Sequence, residues 1–335
     1  MTVNTDIDYI EGEWDDPGVD PPVLTVPCVE GYGQRLDRFL ASRLPDVSRT
    51  RLQRWIELGS VWCESRVLSA NSRLLGSEIV FVKPLPREAD QSFVADPIEL
   101  EVVAITEHYM VINKSAGLVV HPGAGNWRNT LMNGLIHHWP DQALLPRAGI
   151  VHRLDKDTSG LLVVARSELA RQSFTEQLKD RKMSRRYLAL AHGRIAAPGT
   201  VDAPIGRDPE QRTRMAVVRA STGKAAFTSY TPLAQGSIES KVISLLECRL
   251  QTGRTHQIRV HLAHIKHPIL GDSLYGGAKQ AIERQALHAW RLGFADPLDG
   301  ALKFWKMPAP DDFLAASDAC GIDLELALQP ERPHE

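Results

Sequence analysis

Apolar residues recur at helical spacing first at Leu36, Phe39, Leu40 and Leu44 and again at Leu52, Trp55 and Ile56, which predicts two short amphipathic helices between Gln34 and Val61. Ser48 has the side chain to cap the second helix. Two short apolar runs follow, Ser60–Cys63 and Glu78–Lys83, and read as strands that complete a small α/β module over residues 31–83. A charged stretch with Pro84 and Pro86 then predicts a linker over residues 84–95. Beyond it the period changes. Apolar runs at Leu100–Ile105, Met110–Asn113, Leu118–Val120, Gly160–Ala165, Tyr187–Ala191 and Ile243–Leu250 are separated by Gly- and Pro-containing turns. Two segments keep a helical period among them: Ser167–Lys182, with Ala170, Phe174 and Leu178 on one face, and a stretch from about Thr255 to Ile265 that buries Ile258, Leu262 and Ile265 and stops before Pro268. Strands that are mostly not joined by helices predict an α+β fold with a mixed sheet over residues 96–312.

Charge divides the chain differently. Residues 1–30 hold eight acids and no Lys or Arg, and residues 307–335 hold seven acids against Arg332 alone. Residues 1–30 and 313–335 therefore read as acidic tails, the first one disordered. The remainder carries 38 basic and 26 acidic residues, so the formal net charge of −2 conceals a cationic body suited to a phosphate-rich partner. Arg49, Arg51 and Arg54 crowd the start and outer side of the second helix, and Arg181, Lys182, Arg185 and Arg186 lead into Tyr187. No apolar run is long enough to cross a membrane and the N-terminus lacks a signal-peptide pattern, so a cytoplasmic protein is expected. Cys28, Cys63, Cys248 and Cys320 are scattered without metal-type spacing. His256, His261, His264 and His267 are close in sequence, but no Cys joins them, and no metal is expected.

The densest chemistry lies in Gly149–Ala165, GIVHRLDKDTSGLLVVA, a polar turn between apolar segments. Asp155 in that turn can attack an electrophilic carbon, while Asp, Thr, Ser and Gly are also ordinary turn-formers, and the residues alone leave both readings open. Asp155-Lys156-Asp157-Thr158 also suggests the DxDxT pattern of haloacid-dehalogenase-like phosphatases, although Thr158 comes one position early and His152 and Arg153 interrupt the apolar strand that should lead into the first Asp.

The turn resembles the HRLDxxTSG signature of the RluA family of pseudouridine synthases, and GRTHQIRVHLAHIKHPILGDSLYG at Gly253–Gly276 resembles the family's second string. VINKSAGLVVHPGAG at Val111–Gly125, RRYLAL at Arg185–Leu190 and RQALHA at Arg284–Ala289 extend the likeness, with Ser115 standing where the family usually has Pro. Residues 34–83 are similar to an S4 RNA-binding module, with Glu64-Ser65 in place of its usual Asn-Gly-type turn. The resemblance implies the pseudouridine synthase fold, a mixed, largely antiparallel sheet with flanking helices, an RNA-uridine isomerase needing no metal or organic cofactor, and an active site in a cleft across the sheet.

It also implies roles. Asp155 is the nucleophile, Tyr187 packs on the uracil and assists removal of the C5 proton, and Arg259 pairs with Asp155 to orient it. Leu250 and Ile258 line the base pocket, and Arg153 fills the space left by a flipped base or holds phosphate. Arg49, Arg51, Arg54, Arg185 and Arg186 contact phosphates. Within the family the strings are most similar to the D type, which modifies uridines in the helix 69 stem-loop of the large-subunit rRNA, on free rRNA or a pre-ribosomal particle. A C type with other target uridines is the alternative, and an RNA-binding assembly factor without activity is a second. A monomer is expected.

Overall fold

The computed structural model describes residues 23–45, 47–85, 94–123, 126–211 and 214–329, and the chain divides into two units at Ser92/Phe93. In the first unit, β1 (Leu24–Pro27), α1 (Leu36–Arg43), α2 (Arg49–Glu57), β2 (Val61–Cys63) and β3 (Ile79–Val82) follow in order. The three strands form an antiparallel sheet in the order β1-β3-β2. Leu36, Phe39, Leu40, Leu44, Leu52 and Trp55 pack with Val80 and Val82 in one core, as their spacing requires. Ser48 caps α2 by accepting from the Arg51 amide at 3.3 Å.

The expected tail is shorter than residues 1–30. Leu24–Pro27 pairs with β3 along its whole length, and the core extends to Cys28. A four-residue strand inside an acidic, Pro-rich stretch has too few alternations to register against the composition around it. The earlier residues 1–22 and most of the predicted linker, residues 86–93, lie outside the described residues.

The second unit holds β4 (Glu101–Ile105), β5 (Tyr109–Lys114), α3 (Leu131–His138), β6 (Ser159–Ala165), α4 (Glu168–Lys179), β7 (Ser184–His192), β8 (Gly199–Asp202), β9 (Ile205–Arg207), β10 (Met215–Val217), β11 (Phe227–Ile238), β12 (Lys241–Leu250), α5 (Gln257–His264), β13 (Leu287–Ala295), β14 (Leu302–Lys306), α6 (Asp311–Ala319) and α7 (Leu324–Ala327). The main sheet runs β4-β5-β6-β13-β7-β12-β11-β8, with β14 on β13. Among the described strands only β6 and β13 pair in parallel. This is the mixed α+β sheet that the pattern predicts, largely antiparallel with flanking helices as the resemblance implies.

Two expectations need correction here. Leu118–Val120 forms a single bridge, Val119 to Thr130, instead of a strand. Residues 313–329 are not a tail: Phe313, Ala316, Cys320, Ile322 and Leu324 are buried in the main core. The acids of α6 occupy its outer side and first turn, where Asp311 and Asp312 suit the helix dipole. Composition read as solvation was in fact a helical face.

Candidate active site

The segment leading to Asp155 is folded by backbone geometry that only a few residues tolerate. Arg147, Ala148 and Gly149 have φ values of 56°, 50° and 77°. A Cβ on Gly149 would lie 1.9 Å from the Ala165 carbonyl oxygen, so glycine is required there. Buried Gln142 ties the two segments by donating to the carbonyls of Ala148 and Ala165, both at 2.9 Å. The chain then passes Asp155 before β6 begins at Ser159. Asp155 thus precedes a strand and does not end one, which is the reverse of what the phosphatase pattern demands.

Three successive carbonyls of the turn are each held. The Asp155 carbonyl accepts from the Thr158 amide at 3.1 Å, and that of Lys156 accepts from Lys114 Nζ at 2.8 Å and the Gly117 amide at 2.9 Å. The Asp157 carbonyl accepts from Arg284 at 3.0 Å. Lys114 is fully buried and also donates to the carbonyls of Ser115 and Leu118, so all three of its N–H bonds have acceptors. Burial pulls its pKa down to about 7 against the opposing charges of Asp157 and Asp155. Arg284 is itself clamped by Asp312 of α6 at 2.6 and 2.7 Å.

Arg259 stands on α5, and one of its nitrogens, Nη1, reaches Asp155 Oδ2 at 3.2 Å. Its other edge makes a two-pronged contact with the buried carboxylate of Asp272, at 2.7 and 2.9 Å, and its guanidinium lies 5.1 Å from the Tyr275 ring centroid. Burial opposes the Arg259 charge, but the hydrogen bonds and charge of Asp272 and then Asp155 outweigh it and raise its pKa above the ordinary arginine value. Asp272 and Tyr275 are site residues that the sequence reasoning did not assign. The only signal for them was their place in the GDSLYG end of the second string.

The Asp155 side chain is 15% exposed and accepts no bond besides the one from Arg259 among the described residues. It lines a cavity of about 370 Å³ together with His256, Arg259, Asp272, Lys279 and Arg284. Tyr187, Leu250 and Ile258 are not in that lining; they are buried together in the main core. Burial, with a contribution from Asp155, raises the Tyr187 pKa, while Arg185 lowers it. Tyr187 is the fourth residue of β7, which begins three residues earlier than its apolar run.

The predicted phosphate-binding arginines separate into distinct groups. Arg185 is buried, on the same side of β7 as Tyr187, and its Nη1 would touch a Cβ on Gly253 at 2.8 Å, so it does not reach the surface as expected. Arg186 points the other way and pairs with Glu247 at 2.8 Å. Arg153 is exposed. In the first unit, Arg49 pairs with Asp37 at 2.9 Å, Arg51 donates to the Leu85 carbonyl at 2.6 Å, and Arg54 lies 3.4 Å from Glu57.

The four clustered histidines do not converge. His256 lies 2.9 Å from the Tyr275 hydroxyl, His261 bridges Thr228 and the Ala203 carbonyl, and His267 meets the His192 carbonyl. Among the described residues no group of three or more His, Cys, Asp or Glu could hold a metal ion, and no helix is long and apolar enough to cross a membrane.

The sequence matches the RNA pseudouridylate synthase family over residues 108–264, which includes Asp155, Tyr187 and Arg259. It is 47% identical to ribosomal large subunit pseudouridine synthase D of Nitrosomonas europaea, over 88% of this chain and 87% of that protein. It is 45% identical to the protein of the same name from Pseudomonas aeruginosa, over 84% of this chain and 90% of the other. Among solved structures it resembles human RNA pseudouridylate synthase domain containing 1, at 28% identity and a TM-score of 0.52, covering 64% of this chain and 86% of that one. With the sheet, the signature turn and the length of these matches agreeing, the chain belongs to the RluA family of RNA pseudouridine synthases, which are isomerases.

Proposed function

We propose that this isomerase converts uridines of the large-subunit rRNA to pseudouridine, with Asp155 as nucleophile and the helix 69 stem-loop as target. The observation that carries the chemistry is the state of Asp155: a carboxylate on a rigid turn, oriented by one contact from Arg259, with Oδ1 uncommitted at the edge of a cavity. The D-type relatives support the rRNA substrate.

The reaction breaks the bond between uracil N1 and ribose C1′, turns the base, and joins C5 to C1′. The proton leaves C5 and one is gained at N1, so nothing is oxidised and no group is added. Covalent addition of Asp155 to the nucleotide divides this into two easier steps. The target base leaves its stack at a cost of roughly a few kcal/mol. Exposed Arg153, two residues before Asp155, fills the vacated space. Tyr187 packs on the uracil beside Leu250 and Ile258 and assists removal of the C5 proton. Arg259 contributes orientation, with two of its other donors held by Asp272. The first unit adds RNA affinity in the manner of an S4 module, through Arg49 and Arg54, whose side chains are about half exposed.

The test is to map pseudouridines in large-subunit rRNA from a strain lacking the gene. The uridines of the helix 69 loop are expected to remain unmodified and to be restored by the purified protein. An unchanged pseudouridine pattern would refute the assignment.

A further inference from the structure

The strand register brings together four cations that are far apart in sequence. Lys306 of β14 stands opposite Arg291 of β13, Arg291 opposite Arg186 of β7, and Arg186 opposite Arg249 of β12. Residues directly opposite one another in a sheet point to the same side, so the four side chains form one row across four adjacent strands. With strands about 4.8 Å apart, the row is roughly 14 Å long. Beyond Arg249 it continues with Ser229 of β11 and Thr200 of β8, so no acid interrupts the register.

Like charges directly opposite each other destabilise a sheet, and a fold under no other demand would alternate their sign. Here one carboxylate, Glu247, compensates one member, Arg186. Among the described residues no acid pairs with Arg249, Arg291 or Lys306. Arg249 and Lys306 are exposed, and the Arg291 guanidinium and Lys306 ammonium lie 4.0 and 5.3 Å from the Trp290 ring centroid. The indole therefore holds two cations in place without neutralising them.

Beside the row lies an aromatic platform. Phe304 stands opposite Gly293, one step along the same side of the hairpin as Lys306 and Arg291, and is 69% exposed. A Cβ on Gly293 would come within 2.5 Å of the Phe304 ring, so glycine lets the ring lie against the strand with its other face open. A row of cations beside an open aromatic ring is the combination that binds a strand of nucleic acid, phosphates on one and a base on the other.

We propose that the face formed by β14, β13, β7 and β12 is a second RNA-binding surface. It takes the phosphate backbone of an unpaired RNA segment on Lys306, Arg291, Arg186 and Arg249, and a base on Phe304. Arg186 and Tyr187, on opposite sides of one strand, place this surface on the side of the sheet away from the catalytic tyrosine. It thus engages RNA remote from the target uridine and extends the rRNA reading above, on which it rests.

The test compares the full-length protein with an Arg249→Glu/Lys306→Glu double variant and with a control, Lys241→Glu/Lys266→Glu, at exposed positions off this row. Binding to in vitro transcribed large-subunit rRNA is measured directly over a range of salt. The double variant is expected to bind about 10- to 100-fold more weakly, with the slope of log affinity against log salt reduced by about 1.5. Phe304→Ala should weaken binding by about five- to tenfold with an unchanged salt slope. The melting temperature of the double variant should equal or exceed the parent's, because a repulsive row has been relieved. The proposal is overturned if the double variant binds like the parent, if the control loses as much affinity, or if the parent itself does not bind the rRNA. Turnover on the same RNA is scored separately: a parent that binds through this row and makes no pseudouridine would defeat the functional reading and leave the surface standing.

Discussion

Both units are organised around a carboxylate held by arginine, and they use it in opposite ways. Asp37, in the first unit, is fully buried, and its two oxygens accept five hydrogen bonds from Arg35, Arg49 and Gln53. Burial raises its pKa, but those donors outweigh that cost and hold it down at about 2. In the second unit the buried carboxylate is Asp272, both of whose oxygens accept from Arg259, and the same guanidinium also donates to Asp155. A buried carboxylate with both oxygens engaged by arginine is a structural fixture. One that is oriented by a single bond and left open toward a cavity retains the nucleophilic lone pair that covalent chemistry needs.

The comparison breaks most sharply under matched substitutions. Asp155→Asn should lower pseudouridine formation by at least ~10³-fold with little change in melting temperature, because the nucleophile is lost and few contacts go with it. Asp37→Asn should do the reverse, with unfolding free energy of the first unit reduced by about 2–4 kcal/mol, since two arginines lose their partner. Steady-state rates and calorimetry on the two proteins distinguish the roles, and equal losses of activity would erase the distinction.

Arg259 offers a graded version. Arg259→Ala leaves Asp272 buried without its cation, so both activity, by about 10²–10³-fold, and stability should fall. Arg259→Lys retains a charge but cannot span two carboxylates, and should recover only part of each. Asp272→Asn should lower kcat by about 10- to 100-fold while KM changes little, because it acts on the aim of Arg259 and not on RNA contacts. A change confined to KM would assign Asp272 to binding instead.

A smaller effect follows from Lys114. As pH rises past about 7 its amine loses a proton and keeps two N–H donors for three carbonyls, so the grip on the Asp155 turn loosens. A few-fold alkaline decline in kcat with an apparent pKa near 7 is expected, absent in Lys114→Gln. The unfolded amine titrates near 10.5, so between these values the unfolded chain binds more protons and Lys114 makes the fold more stable as pH rises. Activity should therefore fall without melting.

Acid should separate the units last and most gently. His121 and His288 have pKa values lowered to about 4, and His152 to about 3, chiefly by burial. The unfolded chain takes up these protons near pH 6.5 and the folded one resists, so the second unit loses stability from pH 6.5 downward. Asp37 contributes stability above its ordinary value of 3.8 and loses it only as pH falls from there toward 2. Calorimetry between pH 7 and 4.5 should show the transition of the second unit moving down by several degrees while that of the first holds; a parallel shift would contradict the contrast.

Much of this was legible in the chain. Ser48 caps the helix it was expected to cap, and the apolar runs at residues 100–105, 110–113, 160–165 and 243–250 became strands because each had enough alternation or length to outweigh local noise. Asp155 and Arg259 meet as the resemblance implied. The failures share a cause. β1 and α6 were hidden by acidic composition, since charge counts ignore which face a residue occupies. Arg185 and Arg186 were grouped because they are neighbours, although adjacent strand positions point to opposite sides. Asp272 and the cationic row were invisible because they depend on register between segments far apart in sequence, which no local pattern encodes.

The measurement that bears most directly on Asp155 is conversion in a single turnover, with Asp155→Asn and parent each in excess over large-subunit rRNA. The parent should convert the bound target uridine to completion. The variant should bind the RNA within about twofold of the parent's affinity, since its basic surface is intact, and should form no pseudouridine over many parent half-lives. Complete conversion by the variant, at any rate approaching the parent's, would show that the open carboxylate is not the nucleophile.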